Sequence, residues 1–225
     1  MSFFSHLLSA RTAARDLDRR VRLFRAEVVA ARSAFDETAL AALRARPASL
    51  GLTEDDVALE LEMVHGSLEV IALEKAAAEG APLPEVPTSH RALAGETCRF
   101  VAPAFRPDSP NDPGGKLFFT DRRIVYLGSP SLTISWAHVV EVRDADRDLI
   151  VRVRPDAIRT FRCNSYVDTL RGAYLAAVLV DAVRVRPSSQ VQGGPSERGP
   201  QRGSRAGVLE RGPQRGNRAG VPDPP

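Results

Sequence analysis

Lysine is almost missing from this chain: Lys75 and Lys116 are its only two, so 29 of the 31 basic residues are arginine. Asparagine is scarce as well, while alanine, arginine and valine abound, which is the bias of a GC-rich coding sequence. Arginine enrichment by itself is therefore poor evidence of phosphate binding. Cysteine is limited to Cys98 and Cys163, far apart and without C-x-x-C spacing, which argues against a disulfide framework or a zinc site. No run approaches about 18 apolar residues, so no membrane span is expected. The N-terminus places its basic residues after a very short apolar stretch, the reverse of a secretory signal. G-x-S-x-G, P-loop and dinucleotide fingerprints are all missing. These absences predict a soluble, cytoplasmic protein in a reducing environment, with no cofactor, no metal and no catalytic residue.

Charge is present but segmented. Basic and acidic residues number 9 and 5 over residues 1–47, 1 and 9 over 48–85, 13 and 11 over 86–183, and 8 and 3 over 184–225. The first and second of these segments read as helices. Leu17, Val21, Phe24, Val28, Ala31 and Phe35 recur at steps of four and three, predicting one long helix from about Ser9 to Arg46 with a single apolar stripe. Pro47 is expected to end it. Thr53, followed by Glu54, Asp55 and Asp56, predicts the start of a second helix, with carboxylates at the positive end of its dipole. Val57, Leu61, Val64, Leu68 and Ile71 repeat the spacing, and Gly80 supplies a stop. The reading for residues 1–80 is an antiparallel helical hairpin whose two stripes face each other. Its flanks are oppositely charged, each surface pair being worth less than about 1 kcal/mol.

Residues 81–92 begin with three prolines in nine positions and read as a linker. Strands are expected at 96–106, 116–120, 123–127, 132–136, 138–143, 149–154 and 158–163, all rich in Val, Ile, Phe, Tyr and Thr and mostly bounded by turn residues. Ser165 with Asp168 forms a capping-box pattern at the head of a last helix. That helix has Val167, Leu170, Tyr174, Ala177 and Val178 on its apolar face. From Pro187 onward apolar content collapses. The twelve residues from Glu197 to Val208 recur thirteen positions later, differing only at Ser204 versus Asn217. Residues 186–225 are expected to be disordered, because they bury too little to offset their chain entropy.

The densest signal lies in residues 115–143, GKLFFTDRRIVYLGSPSLTISWAHVVEVR. A glycine-led strand is followed by Thr120-Asp121-Arg122-Arg123, an apolar strand ending at Gly128, a Trp136-containing strand and Val139-Val140-Glu141-Val142. This rhythm resembles bacterial PH-like and GRAM-type domains over about residues 93–183, within a β domain read as 93–185. The resemblance implies an α+β fold, with the hairpin followed by a seven-stranded bent sheet or barrel closed by a C-terminal helix. It also implies a binding module rather than an enzyme. Phosphoinositide-binding relatives of that fold place cations around the loop between the first two strands. Here residues 107–114 contain two aspartates and no base, with Arg106 and Lys116 only at the edges, so specific phosphoinositide recognition is not expected.

Other chemistry is thin. Asp144, Asp146 and Asp148 open like an EF-hand loop, but Leu149 stands where glycine is needed and Pro155 where the closing carboxylate belongs. His6, His65, His90 and His138 fall in separate segments without metal-ligand spacing. A Cys163–His138 pair would be the one route to catalysis, and a strand cysteine is more often a small hydrophobe. The basic tail has no aromatic residue on which a base can stack, so no specific nucleic acid is expected. The expected function is binding or scaffolding, with the β domain or the hairpin docking a protein partner and the hairpin also able to recruit a second copy of the chain. The alternative is a peripheral membrane module that uses Arg106, Lys116, Arg122 and the tail against anionic lipid.

Overall fold

The computed structural model describes residues 3–109, 111 and 113–185, with side chains from residue 11 onward. The tail 186–225, with its expected disorder and its tandem repeat, lies outside the described residues, as do Pro110 and Asp112. Within them the α+β order is present: N-terminal helices, a seven-stranded antiparallel sheet and a C-terminal helix.

The helical region departs from a simple hairpin. Helix α1 (Phe3–Ser33) stops well before Pro47, and two short helices follow, α2 (Glu37–Leu43) and α3 (Arg46–Ser49). Pro47 does not end a helix. It sits in the first turn of α3, where its missing N–H would have been unpaired anyway. Asp36 caps α2 by accepting from the Ala39 N–H at 2.9 Å. Thr53 and Asp56 exchange reciprocal bonds, but they head a single 3-10 turn rather than the second helix, and α4 (Ala58–Ala78) begins after it. Phe24, Val28, Leu40, Val57 and Val64 form a fully buried core with Ala31, Leu43 and Ile71. The stripe prediction therefore holds for both helices up to Ala31 and fails at Phe35, which is 62% exposed.

Strands β1 (Cys98–Phe105), β2 (Gly115–Thr120), β3 (Arg123–Leu127), β4 (Leu132–Ser135), β5 (Val139–Ala145), β6 (Asp148–Val153) and β7 (Ala157–Cys163) match the seven expected runs to within two residues. The sheet order is β4-β3-β2-β1-β7-β6-β5, antiparallel throughout. It does not close into a barrel, and β4 and β5 are both edges. β4 is only four residues long, and the 3-10 turn Trp136–His138 leads from it straight to β5. Buried Trp136 plugs the core there, its indole N–H donating to the Thr120 carbonyl at 2.8 Å.

The Thr120–Arg123 turn works as its residues suggest. Thr120 is fully buried, and its hydroxyl oxygen accepts the N–H groups of Arg122 and Arg123. It also lies 2.7 Å from the Glu96 carboxylate, which pairs with the Arg123 guanidinium. Burial pushes the Glu96 pKa up, but hydrogen bonds from Arg123 and Thr120 outweigh it and hold the group below the ordinary carboxylate value. Residues 81–93 are not a free spacer. Val86 donates its N–H to the Cys98 carbonyl, Arg99 reaches the Leu83 carbonyl, and Leu93 buries against Cys98, Phe118 and Val125 on the outer sheet face. β2 and β3 are consequently covered on both sides, which is why LFF and IVY read as continuous apolar runs.

Helix α5 (Tyr166–Val185) packs on the inner face through Leu175, Ala176, Leu179 and Val180. Ser165 and Asp168 form the expected cap. The expected face is corrected, since Ala177 is exposed and two different faces are buried. Gly172 lies where a Cβ would come within 2.8 Å of Leu149 and 3.1 Å of Phe100. On the other side, Gly66 of α4 sits where a Cβ would reach Leu170 at 2.9 Å and the Val167 backbone at 3.0 Å. Glu62 of α4 also accepts the Tyr166 N–H at the head of α5 and pairs with Arg147 of the β5–β6 turn. The helices and the sheet thus belong to one compact unit.

Two stability tests follow from this packing. Phe24→Ala should cost about 3–5 kcal/mol in chemical denaturation, the usual range for emptying a buried phenylalanine site. Gly66→Val should cost about 1–3 kcal/mol, because the backbone at Val167 cannot retreat like a side-chain tip. A denaturation midpoint unmoved by Gly66→Val would mean that α4 and α5 are not held this close.

Candidate binding groove

The chain leaves α1 through one of the two non-glycine residues with positive φ among the described residues. The Asp36 N–H bonds the Ala31 carbonyl and the Phe35 N–H bonds the Arg32 carbonyl, the paired pattern that closes a helix through a left-handed residue. α4 ends in the same way: Ala81 bonds Ala76 and Gly80 bonds Ala77. Gly80 has φ +81, as glycine readily does; at the equivalent place in α1 stands Phe35, with φ +51. An L-residue in that conformation costs about 1–2 kcal/mol. The aromatic ring gains little burial in return.

Phe35 stands at the rim of a groove of about 520 Å³ between α1, α4, α5 and edge strand β5. Val29, Leu40, Val70, Val142, Leu170 and Ala173 line it with apolar side chains. Val29 is itself half exposed. At one side Arg32 of α1 pairs with Asp144 of β5 at 2.7 Å. At the other, Tyr174 and Glu74 provide polar atoms, and burial, then the Glu74 carboxylate, raise the Tyr174 pKa. Tyr174 therefore offers a neutral hydroxyl. β5 is hydrogen-bonded to β6 on one side only. Across the two-residue β5–β6 turn, Ala145 opposes Asp148 and Arg143 opposes Ile150, so alternation turns the backbone groups of Val142 and Asp144 away from β6. The groove thus combines an apolar floor, an exposed aromatic and an open strand edge.

The residues proposed from the sequence for anionic contact are not gathered together. Arg106 follows β1 and pairs with Asp108 at 3.1 Å. Lys116 is exposed on β2 opposite Pro103 and Leu127. Arg122 is exposed in the β2–β3 turn, beyond the other end of β2, whose four steps from Lys116 to Thr120 alone span about 14 Å at strand rise. Arg106 and Lys116 share one end of the β1–β2 ladder and Arg122 marks the opposite one.

The Cys163–His138 pair is not assembled. His138 is exposed beside the Val139–Val153–Ala157 end of the strands, whereas Cys163 is buried at the far end of β7. Burial pushes the Cys163 thiol up to about 12. Cys98 is raised as well, first by burial, and its thiol donates to the Phe100 carbonyl. Asp144 goes to Arg32, Asp148 to Arg162, and Asp146 forms the turn with φ +53. Among the described residues no three His, Cys, Asp or Glu side chains converge as metal ligands. None of the described helices is long and apolar enough to cross a membrane.

Phe35 and Tyr174 were assigned to core stripes by periodicity, so the groove was missed. Its one sequence-level trace is negative: neither glycine nor proline marks the break after α1.

No protein-family model matches the chain, and no curated protein matches it. Among solved structures, the C-terminal domain of an unknown protein from Leishmania infantum aligns with 40% of this chain and 89% of its own, at 14% identity and a TM-score of 0.35. That likeness is too slight to bear on fold or function.

Neither cysteine should react with a thiol reagent at about pH 8 in the native state: both are buried, burial raises both thiols, and at a pKa of about 12 Cys163 is only about one part in ten thousand thiolate there. Two thiols should titrate on denaturation. Rapid labelling of the folded chain would contradict the buried placement of Cys163.

Proposed function

We propose that this chain is a non-enzymatic binding or scaffolding protein that docks a protein partner in the groove edged by Phe35 and β5. The observation that carries the reading is Phe35 itself. It takes a strained backbone where glycine would fit, and it leaves a large aromatic in solvent beside an apolar cavity. Strain and exposure both lower stability, and outliers of that kind concentrate at binding sites. A rigid aromatic at the rim of a desolvated pocket is also the sort of anchor that dominates interface energies. The antiparallel sheet with a helix on its inner face supports reading residues 93–185 as a PH-like or GRAM-like module, a scaffold that serves many partners.

Phe35→Gly separates function from folding. Glycine relieves the φ +51 strain, so the variant should be as stable as the parent or about 0.5–1 kcal/mol more stable in denaturant. It should nevertheless lose the partner recovered by cross-linking with the parent chain, while an exposed change away from the groove, Arg154→Ala, retains it. A partner held equally by Phe35→Gly would refute the groove. A clearly destabilised variant would make Phe35 a packing residue instead.

A further inference from the structure

We infer that the occupant of the groove is a second copy of this chain, paired antiparallel along edge strand β5 about a two-fold axis at Val142. This rests on the docking groove proposed above and names what fills it. The two edges of the sheet differ. β4 is four residues long and offers little to another strand, whereas β5 runs for seven residues without proline. A bulge between Val139 and Glu141 precedes the stretch Glu141–Ala145, which is in regular register. Val142 and Asp144 turn their main-chain groups away from β6, and no other main-chain group among the described residues bonds them there. Such an edge is a template for one more strand, and it borders the groove together with Phe35 and Val29.

The charges on β5 decide which strand fits. Val142 packs toward the core, so its neighbours Glu141 and Arg143 stand together on the exposed outer face. Glu141 meets Arg152 of β6. Arg143 stands opposite Ile150 and pairs with no carboxylate among the described residues. When a second β5 is laid antiparallel with Val142 facing its own counterpart, the outward N–H and C=O of each Val142 bond those of the other. Two-fold symmetry makes every contact reciprocal, so Glu141 of each copy falls opposite Arg143 of the other. Opposite charges facing across strands stabilise the pairing, and like charges oppose it. A slip of two residues in either direction sets Arg143 against Arg143 or Glu141 against Glu141, which holds the register at Val142. Asp144 adds no unmet charge, because Arg32 holds it. A strand from another protein would have to bring an acid and a cation at this same spacing; the chain itself already carries both.

Sedimentation of the full-length chain over micromolar to millimolar concentrations tests this, and a concentration-dependent dimer is expected. Glu141→Arg sets arginine against Arg143 of the other copy, and Arg143→Glu sets glutamate against its Glu141. Each variant alone should therefore weaken the dimer about tenfold or more. Mixed in equal amounts, the two variants should recover it as a heterodimer, since the cationic edge of one then faces the anionic edge of the other. A structural defect in β5 would not be cured by mixing. Circular dichroism and Trp136 fluorescence verify that each variant folds. A monomer across the whole range, a dimer indifferent to both single variants, or a mixture that fails to recover would each overturn the inference. If the chain is monomeric while Phe35→Gly still loses a cross-linked partner of another mass, the groove stands with a different occupant and this inference falls. If the dimer obeys the charge variants but survives Phe35→Gly, the edge pairing stands and the role given to Phe35 fails.

Discussion

Helix α5 has to lie close to two neighbours at once, and the rest of the structure is arranged around that requirement. Gly172 lets it settle onto Phe100 and Leu149 of the sheet, and Gly66 lets α4 settle onto it from the other side. Interiors pack to near-crystalline density, so a methyl group at either position must displace something that is already fixed. The consequence is a layered order of sheet, α5 and helical region rather than two independent modules joined by a tether. Glu62 fastens the layers electrostatically, accepting from the first amide of α5 and from Arg147 in the β5–β6 turn. The groove exists because the close approach at Gly66 is local. Further along, Val70 of α4 and Ala173 of α5 line the groove together with Val142 and Asp144 of β5.

Charge segregation in the helical region has a second outcome. Its opposite charges do meet: Arg25 finds Glu60, which is almost fully buried, and Lys75 finds Glu37. Removing Arg25 would strand the Glu60 carboxylate in the core, a larger loss than an exposed pair implies. The helix stripe alone does not reveal this distinction between arginines spent on folding and those left over. It depends on which face of α1 meets α4, and that is fixed by Phe24 and Val28.

Much of the fold was legible because local and global signals agreed. The strands had both β-type residues and flanking turn chemistry, and Thr120 and Ser165 made the short-range bonds their spacing suggests. Failures came where one signal stood alone. α5 is apolar on two faces, so its periodicity could not say which residues meet the sheet. The proline-rich stretch 81–92 lacked regular structure as expected, but Val86 and Leu93 still found burial on the outer sheet face. Nothing in the order of the strands told an open sheet from a barrel; that depended on the four-residue length of β4 and on the Trp136 turn.

The break after α1 was illegible for a deeper reason. Sequence reading identifies helix ends by residues that make the ending cheap, such as Gly80. At Phe35 the same hydrogen-bond pattern is built with a residue that makes it expensive, so tertiary structure has overridden local preference. Three constraints impose the turn: Asp36 must cap α2, Leu40 and Leu43 must reach the core, and Arg32 must face Asp144. They require a left-handed residue at position 35 and are indifferent to its side chain. A glycine there would satisfy every one of them, and the phenylalanine ring is therefore surplus to the fold. The groove is thus found by subtraction, as a costly residue that remains once folding has used the rest.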